Sequence, residues 1–274
     1  MFFITKYIYS LYNYSLHIFT NLLITNNISN TNNISNTNKK VYKKMTQIES
    51  VSFGGAGWKL FYLIGVAKAL QELNNNIHNL TFSGSSVGGF VALSVLCNVP
   101  AETIFNEVKR LKLIQLSHIN PFKKIYTKNS TKSYFKKVIA PIIMDTHFSR
   151  LALSTTRFNY WSLQPTLIMK HNFKSAEHID ECLHRSMYIP FIMGYTPFYC
   201  KNLYFDGALM CNQPYFDTTK KEQTLTISLS NPNADIYPSV NIPFSWFVLC
   251  TKEEYFDYMY NLGYDDTINY FKEK

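Results

Sequence analysis

The chain has 274 residues, a net charge of +9, and apolar residues at 46%. That length and apolar share suit one α/β domain with an appendage. Its five cysteines (Cys97, Cys182, Cys200, Cys211, Cys250) are odd in number and scattered. This excludes a disulfide framework and a zinc spacing, and it points to a reducing, intracellular compartment.

Residues 1–44 differ from the rest. Residues 2–25 are rich in Phe, Ile, Leu and Tyr but are broken by Lys6, Asn13, His17 and Asn21. They read either as a single N-terminal transmembrane anchor or as a dispensable leader, with no small-residue cleavage site. Residues 26–38 repeat Asn, Ile, Ser and Thr and read as a disordered linker. Met45 opens the globular part, residues 45–274.

From there the pattern alternates. Residues 48–53 read as a strand, 54–57 as a loop, and 60–73 as a helix from its apolar spacing. Residues 80–82 form a short strand. The almost wholly apolar run 87–97 reads as a buried helix, and Pro100 opens another through residue 116. Nine basic residues follow without an acid: Lys109, Arg110, Lys112, Lys123, Lys124, Lys128, Lys132, Lys136 and Lys137. They suit an anionic membrane contact or lid, or simply a solvated face. No nucleic-acid motif accompanies them, so no nucleic-acid partner is expected. Residues 151–156 and 163–169 read as a strand pair, and 175–187 as a helix stopped by Pro190. Strands follow at 202–205 and 224–229, and Thr251 with Glu254 has capping-box spacing before a last helix. Strands alternating with helices predict an α/β fold with a mainly parallel sheet.

Three motifs carry chemistry. Gly84-Ser85-Ser86-Val87-Gly88 lies between a strand and a helix, as a nucleophile elbow does. A sharp turn there exposes the Ser86 hydroxyl, demands small neighbours two residues either side, and aims the Val87 amide at a developing oxyanion. A phosphate loop is the competing reading, but it wants a Lys directly after the glycines, and none is present. Upstream, Gly54-Gly55-Ala56-Gly57-Trp58-Lys59 is a glycine-rich turn whose Gly55, Ala56 and Gly57 amides are candidate oxyanion donors. Downstream, Asp206-Gly207-Ala208 follows a strand, placing an acid where α/β proteins keep their sites. All seven histidines precede Asp206, so a Ser…Asp…His order is excluded. Either Asp206 is itself the base or the order differs.

Together these motifs resemble the patatin-like phospholipase family, closest to its adipose triglyceride lipase and adiponutrin branch. Stretches 51–70, 151–157, 182–193 and 262–265 add to the likeness, which covers about residues 48–274. The resemblance implies a three-layer α/β/α fold and a Ser–Asp dyad, with Ser86 as nucleophile and Asp206 as proton acceptor. It implies lipid acyl hydrolysis through an acyl-enzyme at a membrane or lipid-droplet surface, with no metal or other cofactor and peripheral membrane association. Acyl transfer to another lipid, or a catalytically silent lipid-surface binder, are the alternatives. Lys59 stands where the family loop is often basic. Leu60 replaces the third glycine of the family's Gly-x-Gly-x-x-Gly loop, which reads as helix packing.

Overall fold

The computed structural model describes residues 45–117, 131–159, 164–189, 203–216, 219, 221–243 and 252–272. One sheet holds strands β1 (Ser50–Phe53), β2 (Thr81–Ser85), β3 (Leu151–Phe158), β4 (Pro165–Lys170), β5 (Leu203–Phe205) and β6 (Thr224–Ile227). Their order is β4-β3-β2-β1-β6, with β5 paired to β3. The pairings β6–β1, β1–β2 and β2–β3 are parallel, while β4 and β5 run antiparallel to β3. The expected strand pair is therefore the β3–β4 ladder. The β2 strand reaches three residues past its expected end, because Gly84 and Ser85 still pair with Leu153 and Ser154. The β6 strand stops short at Ile227, where Ser228 bonds to the carbonyl of Ile236 instead.

Each central strand alternates, and the register aligns the alternation across the sheet. Val51, Phe53, Phe82, Leu151, Leu153, Leu225 and Ile227 form a buried apolar face. Ser52, Ser83, Ser154 and Thr226 point to the other side and are buried too. Buried hydroxyls need partners. Thr226 Oγ1 donates to Asp235 Oδ2 at 2.7 Å, and the three serines find theirs in the segment after β5. Thr156 Oγ1 donates to the carbonyl of Asp206 at 3.0 Å, Ser154 Oγ to that of Cys211 at 3.3 Å, and Ser83 Oγ to that of Pro214 at 2.7 Å. Ser52 Oγ reaches the same Pro214 carbonyl. A row of hydroxyls thus carries residues 206–214 across the sheet, from β3 to β1.

The helices are α1 (Leu60–Leu73), α2 (Val87–Leu96), α3 (Ala101–Ser117), α4 (Asp145–Phe148), α5 (Ala176–Ser186) and α6 (Glu253–Lys272). Helices α1, α2, α3 and α5 fall within two residues of the expected spans, whereas the short α4 answers to no expected element. The start signal expected at Thr251 lies outside the described residues; Glu254 sits in the first turn of α6. Helix α2 is apolar all round, and every residue from Gly88 to Leu96 is buried. Helix α5 is amphipathic and is capped by Ser175 Oγ, which accepts from the His178 amide at 3.2 Å. Helices α1 and α6 cross at paired glycines: a Cβ on Gly65 would lie 1.9 Å from the Tyr260 carbonyl oxygen, and one on Gly263 2.1 Å from that of Tyr62. The crossing is sealed by Phe61 stacked on Phe256 at 4.4 Å. Leu60 is buried in the same core at 4% exposure.

No helix among the described residues is long and apolar enough to cross a membrane. Residues 1–44, with the expected anchor or leader, lie outside the described residues.

Candidate active site

Pairing places Ser86 and Asp206 together. Strand β4 takes one edge of β3 over Leu153–Phe158, so β2 and β5 share the other. Along that edge β2 ends with Ser85 opposite Ser154, while β5 arrives from the far end with Phe205 opposite Thr156. The two strands point at each other across Thr155. The next residue of each is Ser86 and Asp206, and there Ser86 Oγ donates to Asp206 Oδ2.

Ser86 sits at φ 55°, ψ −133°, a left-handed conformation that costs a side-chain-bearing residue about 1–3 kcal/mol. Two contacts hold it there. Its amide donates to Ser186 Oγ at 2.9 Å, from the last residue of α5, and its carbonyl accepts from the Gly89 amide at 3.0 Å. Ser86 is the residue before α2, yet its hydroxyl does not cap that helix. The elbow glycines are small for distinct reasons. A Cβ on Gly84 would lie 2.4 Å from the Cα of Gly89, and one on Gly88 would lie 2.4 Å from the Gly54 carbonyl oxygen. Gly88 therefore lets α2 pack onto the glycine-rich loop.

Asp206 is held as firmly. Its Oδ1 accepts from the Ala208 amide at 2.8 Å, closing a short turn over Gly207–Leu209 that fixes the carboxylate. A Cβ on Gly207 would lie 2.2 Å from the Ser154 carbonyl oxygen, so the motif's glycine lets the chain lie on β3. Asp206 is 3% exposed. Burial pushes its carboxyl up to about 7, while the bonds from Ser86 and Ala208 pull it down. Among the described residues no histidine hydrogen-bonds to Ser86 or Asp206.

The glycine-rich loop runs from the end of β1 into α1, with Gly57 at φ 53°. Its Gly55 lies beside both motifs: a Cβ there would sit 2.7 Å from that of Ala208 and 3.4 Å from that of Ser86. Of the loop amides expected to face an oxyanion, that of Gly55 is taken: it donates to Asn212 Oδ1 at 2.7 Å. The amides of Ala56 and Gly57, and that of Val87 at the start of α2, have no protein partner among the described residues. Lys59 is buried at 9% exposure and donates to the Ile242 carbonyl at 3.1 Å; desolvation lowers its pKa. Leu60 takes ordinary helical angles, φ −56° and ψ −22°, which require no glycine.

Two residues of this site escape a reading of the sequence. Ser186 and Asn212 lie 100 and 157 positions from the groups they hold, and although Ser186 falls in the stretch 182–193, nothing in the sequence marks either partner. The basic stretch divides. Lys109 pairs with Glu253 at 2.9 Å and Asp257 at 3.0 Å, joining α3 to α6, and Arg110 pairs with Glu107 at 2.7 Å. Lys132, Lys136 and Lys137 are exposed. Lys123, Lys124 and Lys128 lie outside the described residues, as does the side chain of Lys112.

Among curated proteins the chain is 24% identical over 196 residues to mouse omega-hydroxyceramide transacylase, covering 69% of this chain and 31% of that protein. It is 24% identical over 198 residues to mouse 1-acylglycerol-3-phosphate O-acyltransferase Pnpla3, covering 70% of this chain and 46% of that one. The chain thus spans less than half the length of these relatives. Among solved structures, VipD from Legionella pneumophila aligns with a TM-score of 0.48 and 12% identity, over 81% of this chain and 66% of that one. The family model described as patatin-like phospholipase matches residues 51–218, from β1 through all three motifs and beyond. The chain belongs to the patatin-like phospholipase family.

Proposed function

We propose that this protein hydrolyses lipid acyl esters through a Ser86–Asp206 dyad. The direct bond between the two side chains, formed where β2 and β5 converge, carries the proposal. Ser86 Oγ attacks the ester carbonyl and gives its proton to Asp206. The amides of Ala56, Gly57 and Val87 receive the oxyanion, with the N-terminus of α2 adding favourable dipole. As the carbonyl re-forms, the bond to the alcohol breaks and Asp206 protonates the leaving oxygen. Water then adds to the acyl-enzyme, losing its proton to Asp206. Collapse of that intermediate releases the fatty acid and returns the proton to Ser86.

The scheme asks for no metal or other cofactor. Its substrate is a phospholipid or acylglycerol presented at a membrane surface. Lys132, Lys136 and Lys137 supply exposed positive charge for peripheral contact with anionic lipid; Lys109 and Arg110 already face carboxylates.

The test is an assay of the protein on a panel of phospholipids and acylglycerols, beside Ser86→Ala and Asp206→Asn. A fluorophosphonate should label the wild type and not Ser86→Ala. Equal labelling of both, or turnover surviving in Ser86→Ala, refutes the dyad. Two relatives bear the names transacylase and acyltransferase, which favours a second reading in which an alcohol replaces water in the second half-reaction. Acylated acceptor forming at the expense of free fatty acid would select that reading.

A further inference from the structure

We infer that Asn212 is a positioning residue that aims the glycine-rich loop, and so governs how well the oxyanion is held; the inference rests on the dyad reading above. Asn212 spends its whole side chain on this task. Its Oδ1 accepts from the Gly55 amide at 2.7 Å, and its Nδ2 donates to Ser230 Oγ at 2.7 Å and Ser228 Oγ at 3.3 Å. The orientation is forced, because the Gly55 amide can only donate and therefore needs the carbonyl end. Nor can Asn212 drift. Its neighbour Cys211 is tied to Ser154, and Pro214 is tied to Ser52 and Ser83, so the central sheet fixes the backbone on both sides.

Holding the Gly55 amide on Asn212 sets the plane of the 54–55 peptide. The next two residues are Ala56 at φ −137° and Gly57 at φ 53°. Such a change of sign gathers successive amides on one side, as anion-binding backbone concavities do. The bonds within the loop from Lys59 to the Ala56 carbonyl and from Leu60 to that of Gly57 begin only as α1 winds up. Asn212 thus links the segment carrying Asp206 to the loop serving Ser86, without touching the reacting atoms.

The experiment is kinetic. Asn212→Ala and Asn212→Leu should lower kcat about 10- to 100-fold while KM stays within about twofold, since the loss falls on the transition state. Inhibition by a trifluoromethyl ketone analogue, whose adduct carries the oxyanion, should weaken by the same factor. Binding of the matching unreactive amide should not change. Exposed Ser230 offers a route that leaves the loop untouched. Ser230→Ala should cost about three- to tenfold in kcat in the wild type and nothing further in Asn212→Ala.

If Asn212→Ala fails to fold, the Ser230→Ala loss in kcat at unchanged KM and melting temperature stands as the test. Unchanged kcat in these variants overturns the inference, as does an equal Ser230→Ala loss in both backgrounds or weakening of the unreactive amide in step with the ketone. A wild type that labels with fluorophosphonate beside unaffected variants refutes Asn212 alone; a wild type that neither labels nor turns over refutes the dyad and this inference with it.

Discussion

The buried state of Asp206 predicts that activity and stability move in opposite directions with pH. Desolvation carries its carboxyl from an ordinary 3.8 to about 7. A general base acts only when ionised, so kcat/KM should rise about tenfold per pH unit below pH 7 and level off above it. Stability has the reverse sign. Between the unfolded and folded values the native state binds more protons than the unfolded chain. Stability is therefore full below about pH 4 and is lost as pH rises towards 7. The loss is on the order of 4 kcal/mol for a group this deeply buried. Asp206→Asn titrates nothing at that position, and its amide can still accept from Ala208 and meet the Ser86 hydroxyl. The variant should therefore gain on the wild type by that amount between about pH 4 and pH 7. The assays are hydrolysis of a soluble p-nitrophenyl ester across this range and urea unfolding of both proteins at fixed ionic strength. A rate profile that bends near pH 4, or a stability difference that stays constant with pH, refutes the reasoning.

Further outcomes rest on the geometry. Ser86→Ala should lose turnover by a factor on the order of 10⁴ or more and keep the strain at φ 55°, whereas Ser86→Gly should be as inactive but about 1 kcal/mol more stable, measured by urea unfolding. Gly65→Ala drives a methyl to 1.9 Å from the Tyr260 carbonyl oxygen and should destabilise by about 2–3 kcal/mol, and Gly263→Ala likewise. The double variant should lose less than the sum, because parting α1 from α6 relieves both clashes. Leu60→Gly restores the family's third glycine yet empties a buried core position at a helix start, so it should cost about 3–5 kcal/mol without raising kcat.

Much of the fold was legible because its signals are local. The strand 50–53, the helix 60–73 and the elbow after residue 85 each come from spacing within a dozen residues. The adjacency of the three motifs was not local, and no periodicity predicts that β5 would take the same edge of β3 as β2. Ser52 in β1 and Ser83 in β2 are buried beneath the segment after Asp206, which nothing in their own strands announces. A hydroxyl facing solvent and one facing a distant carbonyl leave the same letter in the sequence. The same holds for Asn212 and Ser186, whose partners are set by the tertiary path alone. The basic run is the converse case. Its count of charges was plain, but α6 brings Glu253 and Asp257 against Lys109, so charge along the chain overstates charge on the surface.

Under the proposed dyad, the topology gives a reason why a carboxylate would serve where a histidine usually stands. An imidazole is an apt base near neutral pH because its ordinary value is about 6.5, and it is large enough to bridge a serine to an acid held further off. Here the two strand ends leave no gap to bridge, since hydroxyl and carboxylate are the next residues of chains converging on one edge of β3. An exposed carboxylate in that position would be too weak a base, but enclosure lifts it to about 7. The Ala208 amide limits that rise by donating to the oxygen that Ser86 does not use. The Asp-Gly-Ala turn therefore both steers the carboxylate and tempers its basicity. Removing that amide's donor, rather than altering the carboxyl itself, would move the pH profile upward while leaving the dyad in place.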